Sequence, residues 1–134
     1  MTISGRCHCG AVTFQAQGEP AHHAICHCGD CRRWAGAPMV GWIAFQEDQV
    51  RIAGTTADYR SSELGMRTFC PACGTGLFYR NATILPGIVD IQSATLDHPE
   101  DHSPGAQIMV RERLPWAAGI ADLPAFATYP GVDA

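Results

Sequence analysis

The sequence predicts a mainly β protein, a compact sandwich or tent of short antiparallel strands whose turns hold bound metal. Short apolar or β-branched runs, broken by Gly, Pro and Asp, recur along the chain and are the mark of many brief strands. Seven cysteines fall into three tight groups: Cys7-His8-Cys9-Gly10, Cys26-His27-Cys28-Gly29-Asp30-Cys31 and Cys70-Pro71-Ala72-Cys73-Gly74. At 134 residues, 46% hydrophobic and 16% charged, the chain is long enough to bury one core without disulfides.

Taken in order, strands are expected at residues 5–7, 11–16, 39–45, 50–53, 58–61, 67–69, 77–80 and 87–93, with a later one at 106–110. Helix signals are sparse. Gly29–Ala35 has Asp30 near its start and Gly36 at its end, which predicts a short turn of helix. Pro124 and Pro130 make the C-terminal tail irregular, and Leu114, Pro115, Trp116, Phe126 and Tyr129 either line a pocket or cover the core, with core packing preferred. Glu63, Asp90 and Asp97 belong to no evident constellation. The N-terminus has no apolar run of the signal-peptide kind, and no stretch approaches the ~20 apolar residues of a membrane span, so a cytoplasmic location is expected.

In such a reducing compartment, an odd number of cysteines spaced C-x-C and C-x-x-C reads as metal ligands rather than as disulfides. The count resolves most simply as four plus three. In the outer pairs a glycine follows the second cysteine, which suits a tight turn whose backbone N–H groups aim at sulfur. Cys7, Cys9, Cys70 and Cys73 together would close a structural tetrahedral zinc site. An alternative joins Cys28 and Cys31 to Cys70 and Cys73 as a zinc ribbon, leaving Cys7, Cys9 and Cys26 over. The triple Cys26, Cys28 and Cys31 is preferred as its own site, because three ligands within six residues close on one ion with little loop entropy.

Three thiolates leave a fourth position for water or a substrate thiol, unless His22, His23 or His27 closes the shell. His27 lies between two ligands and is expected to point away from the ion. Beside the triple, Arg32 and Arg33 can hold the carboxylates of an anionic thiol and Trp34 can wall the site; equally, the arginines are solvated and Trp34 is core. Asp30 reads as a turn or cap residue and His8 as an exposed turn residue, while Arg6 and Arg67 flank the outer pairs and offset thiolate charge.

The formal charge is −4 and all nine basic residues are arginines. Thiolate zinc centres of about −2 and −1 do not reverse that balance. Nucleic-acid binding, which needs a basic face, is therefore disfavoured. Without lysine, Schiff-base chemistry is excluded.

Three stretches, Gly5-Arg6-Cys7-His8-Cys9-Gly10-Ala11-Val12, Cys26-His27-Cys28-x-x-Cys31-Arg32 and Phe69-Cys70-x-x-Cys73-Gly74-Thr75, resemble the glutathione-dependent formaldehyde-activating family, also called the CENP-V/GFA domain. Ala94-Thr95-Leu96-Asp97 and Ile108 to Trp116 resemble its C-terminal half, so the likeness runs over residues 4–130 as one domain. The resemblance implies a β-tent zinc fold with two Zn2+ per chain, one structural and one of catalytic type on Cys26, Cys28 and Cys31. It also implies carbon–sulfur lyase chemistry on a small thiol such as glutathione and a small aldehyde such as formaldehyde, in the manner of an S-(hydroxymethyl)glutathione synthase.

In that chemistry the triple would take the thiol as thiolate, Arg32 or Arg33 would position a carboxylate, and His27 or His23 would shuttle a proton. The competing reading is a non-catalytic zinc-binding structural or interaction module, distinguished by a filled fourth ligand at the triple. A thiol redox enzyme would need a cysteine outside the metal sites, and four plus three uses all seven. A homodimer is compatible with so compact a sheet.

Overall fold

A computed structural model of the chain describes residues 1–132. Its strands are β1 (Thr2–Arg6), β2 (Thr13–Gln17), β3 (His22–Cys26), β4 (Val40–Gln46), β5 (Val50–Ala53), β6 (Ala57–Arg60), β7 (Met66–Phe69), β8 (Gly76–Arg80), β9 (Ile88–Gln92) and β10 (Ala106–Ile108), with one α-helix, α1 (Gly29–Ala35). Short 3₁₀ turns follow β4 and β9 and recur after residue 98. Every expected strand is present within a few residues, and α1 has the expected bounds. β3 is the strand the sequence conceals: His22-His23-Ala24-Ile25-Cys26 has one β-branched residue and no alternation of polar with apolar.

Two sheets form. β1-β2-β5 make a three-stranded antiparallel sheet, and β10-β3-β4-β9-β8-β7-β6 a seven-stranded one. Among the described residues the pairing is antiparallel except between β10 and β3, where Ala106, Gln107 and Ile108 run parallel to Ala24, Ile25 and Cys26.

Because successive side chains in a strand point to opposite faces, register sorts the seven-stranded sheet into two surfaces. Ile43 opposes Ile91, Phe45 opposes Val89, and Phe78 opposes Ile91, so these five share one face. That face packs on Ile3, Phe14 and Ala16 of the small sheet to form the main core. Phe14 meets Phe78 edge-to-face at 5.4 Å between ring centroids. On the opposite face the same pairings align Trp42, Ala44, Asp90, Tyr79, Arg67 and Tyr59. Cys26 joins them beside Val40.

The C-terminal aromatic residues do not reach either interior. Trp116 is 53% exposed, Phe126 60% and Tyr129 81%, contrary to the expected core packing. Both faces of the long sheet are already occupied, and within residues 114–132 Ala117 alone is buried. Apolar side chains are common on protein surfaces, so composition alone does not place a residue inside.

Truncating Phe78 tests where the main core sits. Phe78→Ala should destabilise the protein by about 3–5 kcal/mol, read as a lower midpoint in urea.

Candidate metal centres

The four-cysteine cluster joins two turns of the same design. Cys7 N–H donates to Val12 O and Cys70 N–H to Thr75 O, each at 3.0 Å, while Gly10 and Gly74 return N–H bonds to Cys7 O and Cys70 O. Both glycines hold left-handed backbone, φ +82° and +84°, a conformation an L side chain resists. Cys7 and Cys70 are fully buried in the main core, and Cys9 and Cys73 lie toward solvent.

All four sulfurs lie within 4.8 Å of one another. Cys7 and Cys9 are 3.7 Å apart, and Cys9 and Cys70 3.8 Å. A tetrahedral ion with Zn–S bonds of ~2.3 Å would set its sulfurs about 3.8 Å apart, the spacing these two pairs already have, so the donor set fits such an ion. Val12 N–H points at Cys7 Sγ at 3.3 Å, and the Thr75 hydroxyl lies 3.2 Å from Cys73 Sγ. Hydrogen bonds from the Thr75 side chain and backbone hold the Cys73 thiol down at about 5. Arg6 stays at this centre through the backbone, donating to Cys7 O and His8 O. His8 is exposed, as expected.

Cys26, Cys28 and Cys31 form a separate cluster, again within 4.8 Å of one another. The ribbon pairing is thereby set aside: Cys70 and Cys73 meet Cys7 and Cys9. Among the described residues no histidine nitrogen completes the triple. Cys26 ends β3, and Cys28 caps α1 by accepting the Cys31 N–H at 3.3 Å. The cap is thus a candidate ligand rather than Asp30, which lies exposed in the first turn.

Arg67 serves this second cluster, although sequence position put it with the outer pairs. Cys70 lies three positions further on, an odd offset, so strand alternation sends the two side chains to opposite faces of the sheet. Its guanidinium lies 3.8 and 3.9 Å from Cys31 Sγ and 4.8 Å from the Tyr79 ring centre, with Trp34 and Trp42 each at 5.9 Å. Hydrogen bonds from Cys26 and Cys28, with the Trp42 indole and the Arg67 charge, hold the Cys31 thiol down at about 5. Its hydrogen bond with Cys31, then burial, pushes Cys26 up.

Above the triple lies a cavity of about 540 Å³. Trp42, Tyr79, Ile84, Leu85, Ile108 and Met109 supply its apolar walls. Arg33, Arg67, His22, Asp90 and Glu112 supply polar groups. The Asn81 side chain shapes one rim by accepting from Thr83 and Ile84 N–H. Met109 has φ +55°, the one non-glycine residue with left-handed backbone among the described residues, and it turns the chain over the cavity.

The residues expected near substrate therefore divide. Arg33 lines the cavity. Arg32 does not: it donates to His27 O and Glu112 O, tying α1 to the segment after β10. His27 is 1% exposed and holds Gln107 of β10 at 2.9 Å, outside the cavity. Trp34 stacks on Tyr59 at 5.8 Å and anchors α1 instead. Asp97 is engaged with the Ser4 hydroxyl. Sequence reasoning missed Trp42, Tyr79, Asp90 and Arg67 as cavity residues; the signal for them was strand alternation combined with register.

The two clusters should respond differently to serine. Cys7→Ser should collapse the fold, since a structural zinc site contributes on the order of 10 kcal/mol. Cys28→Ser keeps a capping oxygen for α1. It should lower the metal content from two ions per chain to one while the circular dichroism spectrum stays native.

A family model described as "Glutathione-dependent formaldehyde-activating enzyme" matches residues 2–112. An uncharacterized lyase of Schizosaccharomyces pombe is 33% identical over 97 residues, which cover 65% of this chain and 71% of that protein. The crystal structure of a Rhodobacter sphaeroides protein superposes with a TM-score of 0.62 at 21% identity, covering 78% of this chain and 98% of the other, and shares its fold. With the matched residues spanning the three cysteine groups and both sheets, the chain belongs to the glutathione-dependent formaldehyde-activating enzyme family.

Proposed function

We propose that the protein is a zinc-dependent carbon–sulfur lyase that joins and separates a small thiol and a small aldehyde. The family's description names glutathione and formaldehyde, and this pair is the reading's starting substrate. One observation carries the proposal: the three-cysteine cluster forms the floor of a cavity, whereas the four-cysteine cluster lies outside it. Cys26, Cys28 and Cys31 line that space and would hold an ion with three protein ligands, one fewer than a closed tetrahedral site uses.

Zinc bound there supplies Lewis acidity and stabilises a thiolate at neutral pH. The chain's own residues do the rest. Arg67 holds a positive charge against Cys31 and so favours a second anionic sulfur nearby. The aromatic rings around its guanidinium keep that charge out of water and fix its plane. Arg33, exposed at the cavity, can take a carboxylate of the thiol component. Trp42, Tyr79 and Met109 limit water, which strengthens each of these electrostatic terms. A cavity of about 540 Å³ falls within the usual range for small-molecule sites, roughly 300–1,000 Å³. Seven free thiols accord with a reducing, cytoplasmic location, and among the described residues no helix is long and apolar enough to cross a membrane.

Turnover of S-(hydroxymethyl)glutathione, followed by NMR against the uncatalysed rate, tests this reading. Wild type should accelerate exchange and Cys28→Ser should abolish it; no acceleration by wild type across a panel of thiols and aldehydes would sink the proposal. Arg67→Met should lower kcat/KM by about tenfold or more, equivalent to ~1.4 kcal/mol, with the four-cysteine site still loaded.

A further inference from the structure

Asp90 is the cavity's unexplained group. It sits in the middle of β9, opposite Ala44 on one side and Tyr79 on the other, on the face that carries the three-cysteine cluster. The residue is 6% exposed and its Oδ1 accepts no hydrogen bond. Burying a carboxyl without a partner is costly, and such groups persist where function requires them. Nothing in the main core uses it. Of the cavity's other charged residues, Arg67 lies against Cys31, Glu112 accepts the Gly29 N–H at 3.1 Å, and Asp30 and Arg33 are exposed to solvent rather than buried.

His22 is the neighbour that gives Asp90 a chemical sense. Ala44 is flanked by His22 on β3 and by Asp90 on β9, so the two polar residues face each other across a methyl group. The His22 Nε2 to Asp90 Oδ1 distance is 4.0 Å. His22 is also the wetter of the two, with 43% of its side chain exposed against 8% for Asp90. A buried carboxyl facing a cavity, next to an imidazole that reaches solvent, is an arrangement for moving a proton in and out.

We propose that Asp90 is the proton-transfer residue of the three-cysteine centre, with His22 positioning it and relaying the proton to solvent. The assignment rests on the lyase reading above. In the cleavage direction the Asp90 carboxylate takes the proton from the adduct's hydroxyl. The O–H electron pair becomes the second carbon–oxygen bond of the aldehyde, the carbon–sulfur bond breaks, and its pair stays on sulfur as thiolate. In synthesis the thiolate attacks the carbonyl carbon, and the carbonyl oxygen receives the proton from the Asp90 carboxylic acid. No oxidant or further co-reactant is needed.

Burial pushes the Asp90 carboxyl up to about 6, with the His22 charge opposing and the Cys31 thiolate adding. The charged or titratable groups around it are His22 and Cys26 from β3, Tyr79 from β8, Arg67 from β7 and Cys31 from α1, with Cys28, Asp30, Arg33 and Glu112 in the same cavity. A carboxyl raised in the folded state binds its proton more tightly there than in the unfolded chain. Its cost to stability is therefore absent below about pH 4, grows between about 4 and 6, and is complete above 6.

The test uses metal-loaded wild type, Asp90→Asn, Asp90→Glu and His22→Gln, with glutathione–formaldehyde and 2-mercaptoethanol–formaldehyde adducts as probes. Asp90→Asn should lower kcat by about 100-fold or more, the usual range for a lost general acid–base, with little change in KM. The acidic limb of the kcat profile should disappear. Asp90→Glu should recover part of kcat and restore the limb, and His22→Gln should displace it. Metal content should stay at the wild-type value, and Asp90→Asn should melt at a higher temperature than wild type above pH 7 but not at pH 4. Wild-type kcat and pH profile in Asp90→Asn would overturn the assignment alone, as would a loss of activity matched by loss of metal. No turnover by wild type would overturn the lyase reading and the assignment together.

Discussion

Alternation along the seven-stranded sheet is the constraint from which both the core and the site follow. A strand must send neighbouring residues to opposite faces, and here both faces are buried. Ile43 goes to the main core while Trp42 and Ala44 go to the cavity; Ile91 and Val89 go one way and Asp90 the other. A slip of one residue in β9 would exchange a carboxyl for a core isoleucine. Register in this sheet is thus held by hydrophobic burial on one side, and the chemistry on the other side inherits it.

The sulfur clusters use the sheet in different ways. The four-cysteine cluster joins the turn after β1 to the turn after β7, linking the small sheet to the large one at a point where two of its sulfurs are already core. The three-cysteine cluster is local, spanning the end of β3 and the first turn of α1. There Cys28 both caps the helix and faces the cavity. The cluster's three cysteines come from one short stretch of chain, so their arrangement is set locally rather than by the packing of the two sheets.

How much of this was legible in the sequence follows from the range of each interaction. The cysteine groups, the glycines at positions 10 and 74, and α1 are set by residues within a few positions, and all were readable. The pairing of Cys7 and Cys9 with Cys70 and Cys73 was favoured by the same local economy. Arg67, Asp90, Trp42 and Tyr79 come from four strands, and their meeting depends on the register between those strands. No local spacing encodes that. Arg32 and His27 misled for the opposite reason: adjacency to ligands placed them near the metal in sequence, while their side chains hold β10 and the segment after it.

The roof of the cavity is that same segment. His27 N–H bonds Ile108 O, Gly29 N–H bonds the Glu112 carboxylate, and Arg32 bonds Glu112 O, so every one of these ties runs to the loop and helix that carry Cys26, Cys28 and Cys31. Cavity roof and three-cysteine loop are therefore tied directly to each other by hydrogen bonds. A change in how the three cysteines are arranged is therefore felt directly by the cover above them, because the ties between loop and roof are hydrogen bonds a few residues from the sulfurs.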